Sequence, residues 1–455
     1  MRSARARNWL VAPILPITIL ATGLLSACSP SSVDSYSTAP AIAPDALAGT
    51  AQMTPPGNPL IPATAFATEA ATGPARLTIR IWWPSEVYPE AGSSAATILQ
   101  SQLDSYRQNS GQNIEVRVKP SDGVGGIFQT LRSGNVAAPA AMPDLVLLQR
   151  SDLIQAVAGT LIQPIDPSAL GTGNESNDIY PAAVALGQVN GIQYGLPYAL
   201  AIDHFVYRVL AYPSPPSTAS ALLNAVQPVL FPAGTAKGVN ATLLSQYLAA
   251  GGRVADDKGG PVLDKDALQS VLQFYEQAAA AKVVGPMLVD FTSAETYWPT
   301  FVQGKSDVAE VNSTFYLHQR GNLTGVAVLP LLPISGNAVT SLDGWLWAIT
   351  TGDPQRQLTA ENALAWLMQP QQQAAFTEAV GELPSRHSAL AAWKDQTYAA
   401  FADSILSARA IPAADQIDPA VAKALQKAFE DVLSGRKRAE AASSDAAASV
   451  GSAAK

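Results

Sequence analysis

Thiols and imidazoles are nearly absent: the 455 residues hold one cysteine, Cys28, and three histidines, His204, His318 and His387. A lone thiol closes no intrachain disulfide, and no histidine stands four residues from another, so neither a disulfide framework nor a histidine-clustered metal site is expected. The sequence also lacks a nucleophile elbow, a zinc-peptidase helix and a dinucleotide fingerprint, and we expect no catalytic residues, no enzyme and no cofactor. Charge is sparse, at 14% Asp, Glu, Lys and Arg, and leans to a formal −8. Such a field disfavours nucleic acid as a partner. Long apolar runs are missing except for Trp9 to Leu25, which follows Arg2, Arg5 and Arg7. That run falls short of the roughly 20 residues that cross a bilayer, and Pro13 and Pro16 interrupt it. Charged start, apolar middle and small-residue end read as a secretory signal over residues 1–27.

The signal closes on Leu25-Ser26-Ala27-Cys28, which resembles the lipobox of bacterial lipoproteins. The resemblance implies that Cys28 becomes the new N-terminus and carries a lipid, placing the chain on the extracytoplasmic face of the bacterial cell membrane, attached through that anchor alone. Loss of residues 1–27 would move the formal charge to −11. Residues 28–75 then form the lipidated cysteine and a leash dominated by Ser, Ala, Pro, Thr and Gly, too poor in apolar periodicity to bury a core. As a flexible coil it would span about 40 Å.

From Arg76 the pattern alternates. "LTIRIWW" reads as a strand, residues 94–108 as a helix with Ile98 or Leu99, Leu103 and Tyr106 on one face, "NIEVRV" as a second strand and "DLVLL" as a third, continuous buried one. This order implies parallel strands with helices on their faces, an α/β fold. Further helices are expected over 217–227, 240–250, 264–282, 359–368, 370–380 and 419–434, and strands over 202–209, 307–311, 325–329 and 344–350. A folded length of about 380 residues exceeds one core and predicts two domains. The Ala- and Ser-rich end, 436–455, is expected to be a flexible tail.

Several phrases, in order, resemble the maltose-binding-protein-like family (family 1) of extracellular solute-binding proteins that serve ABC importers: "PDLVLLQRSDLIQAVAGTLIQPID", "GIQYGLPYALAIDHFVYR", "FVQGKSDVAEVNSTFYL", "DGWLWAIT", "ENALAWLMQPQQQAAFTEAVGELPSRHSAL" and "AVAKALQKAFEDVLSG". The resemblance implies a two-lobed periplasmic-binding-protein-like fold of the class II type with three hinge crossings, near 201–204, 341–345 and 391–401. Lobe 1 would combine 76–201 with 345–390, and lobe 2 would combine 205–340 with 400–435. It further implies a monomer that closes on a sugar or oligosaccharide and hands it to the permease subunits in the membrane. A glycan-active surface enzyme, or a binder of a non-sugar solute, remains the alternative.

Ligands of parallel sheets bind beyond the carboxyl ends of the strands. That rule selects Trp83 and Glu86 after the first strand, Asp122 after the second, and Arg150 and Asp152 after the third. Each has a second reading. Either Trp82 or Trp83 belongs to the core, with Trp83 preferred as the exposed one; Glu86 can be plain loop solvation; Asp152 or Ser151 can cap the helix that follows. The glycines of "DGVGGI" suit a tight turn better than a phosphate cradle. The family resemblance adds Tyr198 and Asp203 at the first crossing, where relatives often carry an acid at the position filled here by Ala201. It adds Asn312 and Tyr316 after the strand at 307–311, and Asp343 and Trp345 at the second crossing. Strand alternation puts Trp345 and Trp347 on one face, either a stacking platform or a buried surface.

Overall fold

A computed structural model of the chain describes residues 77–166, 178–212, 214–235, 238–408, 410–412 and 417–453. The chain divides after Ala70 into two units. The first, with the signal, Cys28 and most of the leash, lies outside the described residues, and the second is described below.

Strand Thr78–Pro84 pairs in parallel with Asn113–Lys119 on one side and Leu145–Gln149 on the other, in register Ile81 to Val116 and Ile81 to Leu145. The intervening helix Ser94–Ser110 starts where the Ser93 hydroxyl accepts from the Ala96 amide at 3.0 Å, and it buries Leu99, Leu103 and Tyr106 at a helical period. Past this parallel trio the direction reverses. Thr340–Ile349 runs antiparallel to Leu145–Gln149, and the 13-residue strand Leu196–Arg208 runs antiparallel to Thr340–Ile349. Val308–Asn312 then pairs antiparallel with the far half of Leu196–Arg208, and Val229–Leu230 joins in parallel. The result is one ten-stranded sheet.

Buried apolar residues fall into two clusters rather than one. The first gathers Ile79 to Ile202 and Leu342 to Leu406; the second gathers Phe205 to Leu332 and Val421 to Val450. Chain passes between them three times, along Leu196–Arg208, at the start of Thr340–Ile349, and after Leu406. This last passage differs from the expected 391–401: helix Gln396–Ala408 buries Tyr398, Ala402 and Ile405 in the first core. Strand Leu196–Arg208 begins earlier than the expected 202 and takes in Pro197. A register shift opposite Trp345 and Leu346 accommodates the proline, which has no N–H to give the ladder. The helix expected over 217–227 shrinks to Ala219–Leu222.

The C-terminal end also departs from expectation. Residues Ala439–Ala453 form a helix that packs against Lys265–Ala280 and Pro419–Leu433, burying Ala439, Ala442, Ala446 and Val450 in the second core. Alanine is the strongest helix former, and its small side chain lets helices approach closely. An alanine-rich composition with apolar positions spaced three or four apart therefore makes a packed helix here, not a frayed tail.

Candidate functional site

Strand Leu196–Arg208 belongs to both cores, and its register decides which side chains meet there. Successive residues alternate faces, and directly opposed residues share one. Ala201 opposes Asp343, Asp203 opposes Asn312, and Phe205 opposes Glu310. Asp343, Asp203, Asn312 and Glu310 therefore stripe a single face of the sheet where the cores join. Strand Leu383–Pro384 opposes Leu200 and Ala199, so Glu382, one residue earlier, comes level with Ala201.

A cavity of about 780 Å³ opens against this stripe. Asp203, Glu310 and Asn312 form its floor, Glu86 reaches it from the first core, and Glu295 with Tyr297 and Thr314 with Phe315 and His318 wall it from two helices, Ala294–Val302 and Ser313–Gln319. Among the described residues its lining thus holds four carboxylates and one imidazole, with no lysine or arginine.

These carboxylates are held in different ways. Glu86 accepts from the Ser121 amide at 3.1 Å and hydroxyl at 2.8 Å; burial alone would raise its pKa, but those bonds hold it below the usual value. Glu310 is 2% exposed. Its Oε1 accepts from the Thr242 hydroxyl at 2.7 Å, while Oε2 has no hydrogen-bond partner. Burial, and then the charge of Asp203, raise its pKa well above the ordinary range. Asp203 is pushed up to about 6 by burial, with Asp343 adding to the rise and a 3.4 Å bond from the Asn312 amide opposing it. Glu382 is 5% exposed and accepts from the Thr314 hydroxyl at 2.9 Å; burial pushes it up to about 8. Asp343 is exposed at its surface, yet its carboxyl is crowded by protein, which raises its pKa against a 2.7 Å bond from the Gly344 amide. Among the described residues no cation eases any of these four rises.

Short local features set these groups in place. Asn312 caps helix Ser313–Gln319, its Oδ1 accepting from the Thr314 amide at 3.0 Å, and the Ser313 hydroxyl accepts from the Ile202 amide at 3.1 Å. Gly381 ends helix Pro370–Val380 at φ 73°, and a Cβ there would come within 2.9 Å of His318 Nε2. His318 Nε2 in turn lies 3.0 Å from the Val380 carbonyl oxygen. His204 is fully buried between Tyr316, Tyr398 and Phe401, and burial lowers its pKa to about 4.

Of the residues selected from sequence, Glu86, Asp203 and Asn312 line the cavity, and Asp343 sits beside it on the same face. Four selected aromatics, Trp83, Tyr198, Tyr316 and Trp345, do not line it. Trp83 is fully buried, as is Trp82, contrary to the expectation that Trp83 is the exposed one. Its ring packs edge-on against Trp347, Phe376 and Tyr198 at 5.0, 5.3 and 6.2 Å. Tyr198 and Trp345 belong to the same core, so the paired tryptophans of "DGWLW" face packing, not a cleft. Tyr316 is half-buried against His204 and Tyr398. Arg150 spends its guanidinium on the backbone oxygens of Ala185 and Gln188, both at 3.1 Å, tying two segments of the first core. Asp152 lies in the first turn of helix Arg150–Ala158, whose cap is Gln149, so neither Asp152 nor Ser151 is the cap. Burial and the charge of Asp122 raise the Asp152 pKa, and neither residue lines the cavity. The sequence reading missed Glu310 and Glu382. A signal for Glu310 was present: an acid inside the apolar strand "VAEVN", two residues from Asn312 and hence on its face.

The sequence pattern of bacterial extracellular solute-binding proteins matches residues 103–402. The chain belongs to this family. No match is found among curated protein sequences. Solved structures align over most of this solute-binding protein. The cyclic alpha-maltosyl-1,6-maltose binding protein of Arthrobacter globiformis matches with a TM-score of 0.66 at 16% identity, over 83% of this chain and 99% of its own. The sugar-binding protein MalE of Xanthomonas citri gives 0.65 at 18%, over 83% and 97%. A solute-binding protein of Thermotoga lettingae bound to alpha-D-tagatose gives 0.58 at 18%, over 83% and 100%. At these identities the likeness is one of fold, the two-lobed α/β architecture of periplasmic solute-binding proteins. Among the described residues no helix is long and apolar enough to cross a membrane, and no group of His, Cys, Asp and Glu is arranged to hold a metal ion.

Proposed function

We propose that this protein is the lipid-anchored capture component of an ABC importer and that its solute is a carbohydrate, mono- or oligosaccharide. The observation that carries this reading is the cavity at the shared strand, walled from both cores and lined by carboxylates, amides, hydroxyls and aromatic edges. Sugars ask for that mixture: fixed polar groups for their hydroxyls and a ring for their C–H faces. Phe315 supplies a ring, and Asn312 and Thr314 supply an amide and a hydroxyl. Support also comes from the neighbours, described as binding maltose-type oligosaccharides and tagatose. Lobes 76–201 with 345–390 and 205–340 with 400–435 would swing about Leu196–Arg208 and the start of Thr340–Ile349, and a solute touching both stabilises only the closed form. The permease subunits would read that form. The anchor rests on the lipobox at Cys28, and monomeric action on the extracytoplasmic face follows from the same reading.

Titration calorimetry and intrinsic fluorescence against a panel of mono- and oligosaccharides test the solute class. Saturable binding of at least one carbohydrate is expected. Silence across the panel, with binding of a non-carbohydrate, overturns it. Mass spectrometry of the mature N-terminus expressed in a bacterium tests the diacylglycerol on Cys28.

A further inference from the structure

The cavity's charge is unbalanced in a way that neutral sugar recognition does not require. Carboxylates that only accept from hydroxyls are usually themselves supported by backbone amides or basic side chains, as Glu86 is by Ser121. Glu310 is not. It is 2% exposed, lines the cavity floor, and leaves Oε2 without a partner. An unsatisfied buried carboxylate oxygen is costly, and natural proteins keep one where a ligand completes it. Its nearest charged neighbour on the stripe is another acid, Asp203, which has only the long 3.4 Å bond from Asn312. Asp343 and Glu382 add two more acids beside Ala201. Among the described residues no lysine or arginine lines the cavity to offset them.

We propose that the solute carries a protonated amine, which seats between Asp203 and Glu310 and supplies the missing donors. A primary ammonium has three N–H donors, enough for Glu310 Oε2 and Asp203 with one to spare for Asn312 or solvent. Hydroxyls of the same solute would use Thr314 and Glu295. A divalent metal is disfavoured because the acids are spread along a stripe and do not converge. The proposal deepens the solute-capture reading and rests on the cavity being the capture site. Two sources carry this chemistry, an amino sugar and an aliphatic polyamine.

The test is titration calorimetry on the full folded chain at pH 7.5 with glucosamine, its β-1,4-linked dimer and spermidine, set against glucose, N-acetylglucosamine and maltose. Ammonium compounds are expected to bind at least about tenfold more tightly than their neutral counterparts. Asp203→Asn and Glu310→Gln are each expected to weaken that binding by about tenfold, roughly 1.4 kcal/mol, while thermal melts show both variants folded. Binding of neutral sugars as tight as amino sugars overturns the ammonium proposal and leaves the carbohydrate reading standing. Binding of spermidine with silence from all six-membered sugars does the reverse. Silence from every ammonium compound, or unchanged ammonium affinity in both variants, also overturns it.

Discussion

Asp203 and Glu310 occupy neighbouring positions on one face of the same antiparallel ladder, and burial together with the Asp203 charge raises the Glu310 pKa well above the usual glutamate range. The consequence for pH runs in one direction. Asp203 at about 6 and Glu382 at about 8 have folded pKa values above those of the unfolded chain, roughly 4. Their contribution is fully present below the unfolded pKa and is lost as pH rises through the folded values. The groups facing them are Asp343, Asn312, Thr314 and Tyr297, none of them basic. Carboxylates held low, such as Glu86, Asp178 and Asp431, act only below about pH 4. The unliganded protein should therefore melt at a lower temperature at pH 8 than at pH 5, as calorimetry would read, and a flat or rising profile contradicts it.

Glu382→Gln isolates one of these groups. The amide oxygen can still accept from Thr314, so only the ionisation is removed. We expect a stability gain on the order of 2–4 kcal/mol at pH 8 and little change near pH 4.5. Urea denaturation at both values checks it; an equal effect at both would show that packing, not charge, sets the outcome.

Trp83→Ala should lower stability by about 3–5 kcal/mol, since it empties a site enclosed by Trp347, Tyr198 and Phe376. The urea midpoint measures this. A loss under about 1 kcal/mol would mean the ring is not buried as described.

Gly344 lies against the shared strand, where an added Cβ would stand 2.4 Å from the Ala199 carbonyl oxygen. Gly344→Ala must shift one strand against the other, and a loss of about 1–3 kcal/mol is expected. An unchanged melting temperature would show that the ladder yields freely there.

Val450, near the end of the C-terminal helix, is 2% exposed. Val450→Asp would bury a carboxylate without a partner, so a loss of about 2–3 kcal/mol is expected. No effect on the denaturation midpoint would mean that Ala439–Ala453 does not pack.

The first parallel strands and the helix between them were legible because their apolar spacing is regular: Ile79 and Ile81 alternate, and Leu99, Leu103 and Tyr106 follow a helical period. Asp203 and Asn312 were reached through the family resemblance, which put one at a crossing and the other after a strand. What could not be read was the direction of each tryptophan, since Trp82 and Trp83 both find apolar neighbours in a sheet covered on both faces. Glu382 was hidden for a different reason: it comes level with Ala201, more than a hundred residues away, and no local pattern encodes that, whereas Glu310 left a local signal as the acid inside "VAEVN". The C-terminal helix was misjudged on composition alone, where the three- and four-residue spacing of Ala439, Ala442, Ala446 and Val450 carried the truer signal.

Strand Leu196–Arg208 gives its first residues to one hydrophobic cluster and its last to the other. No single cut in the gene can therefore liberate an autonomous half, because each would inherit a severed rung and only part of its own filling. Heat should be absorbed in one transition, and whatever torque a captured molecule exerts must travel along a backbone that neither side owns alone.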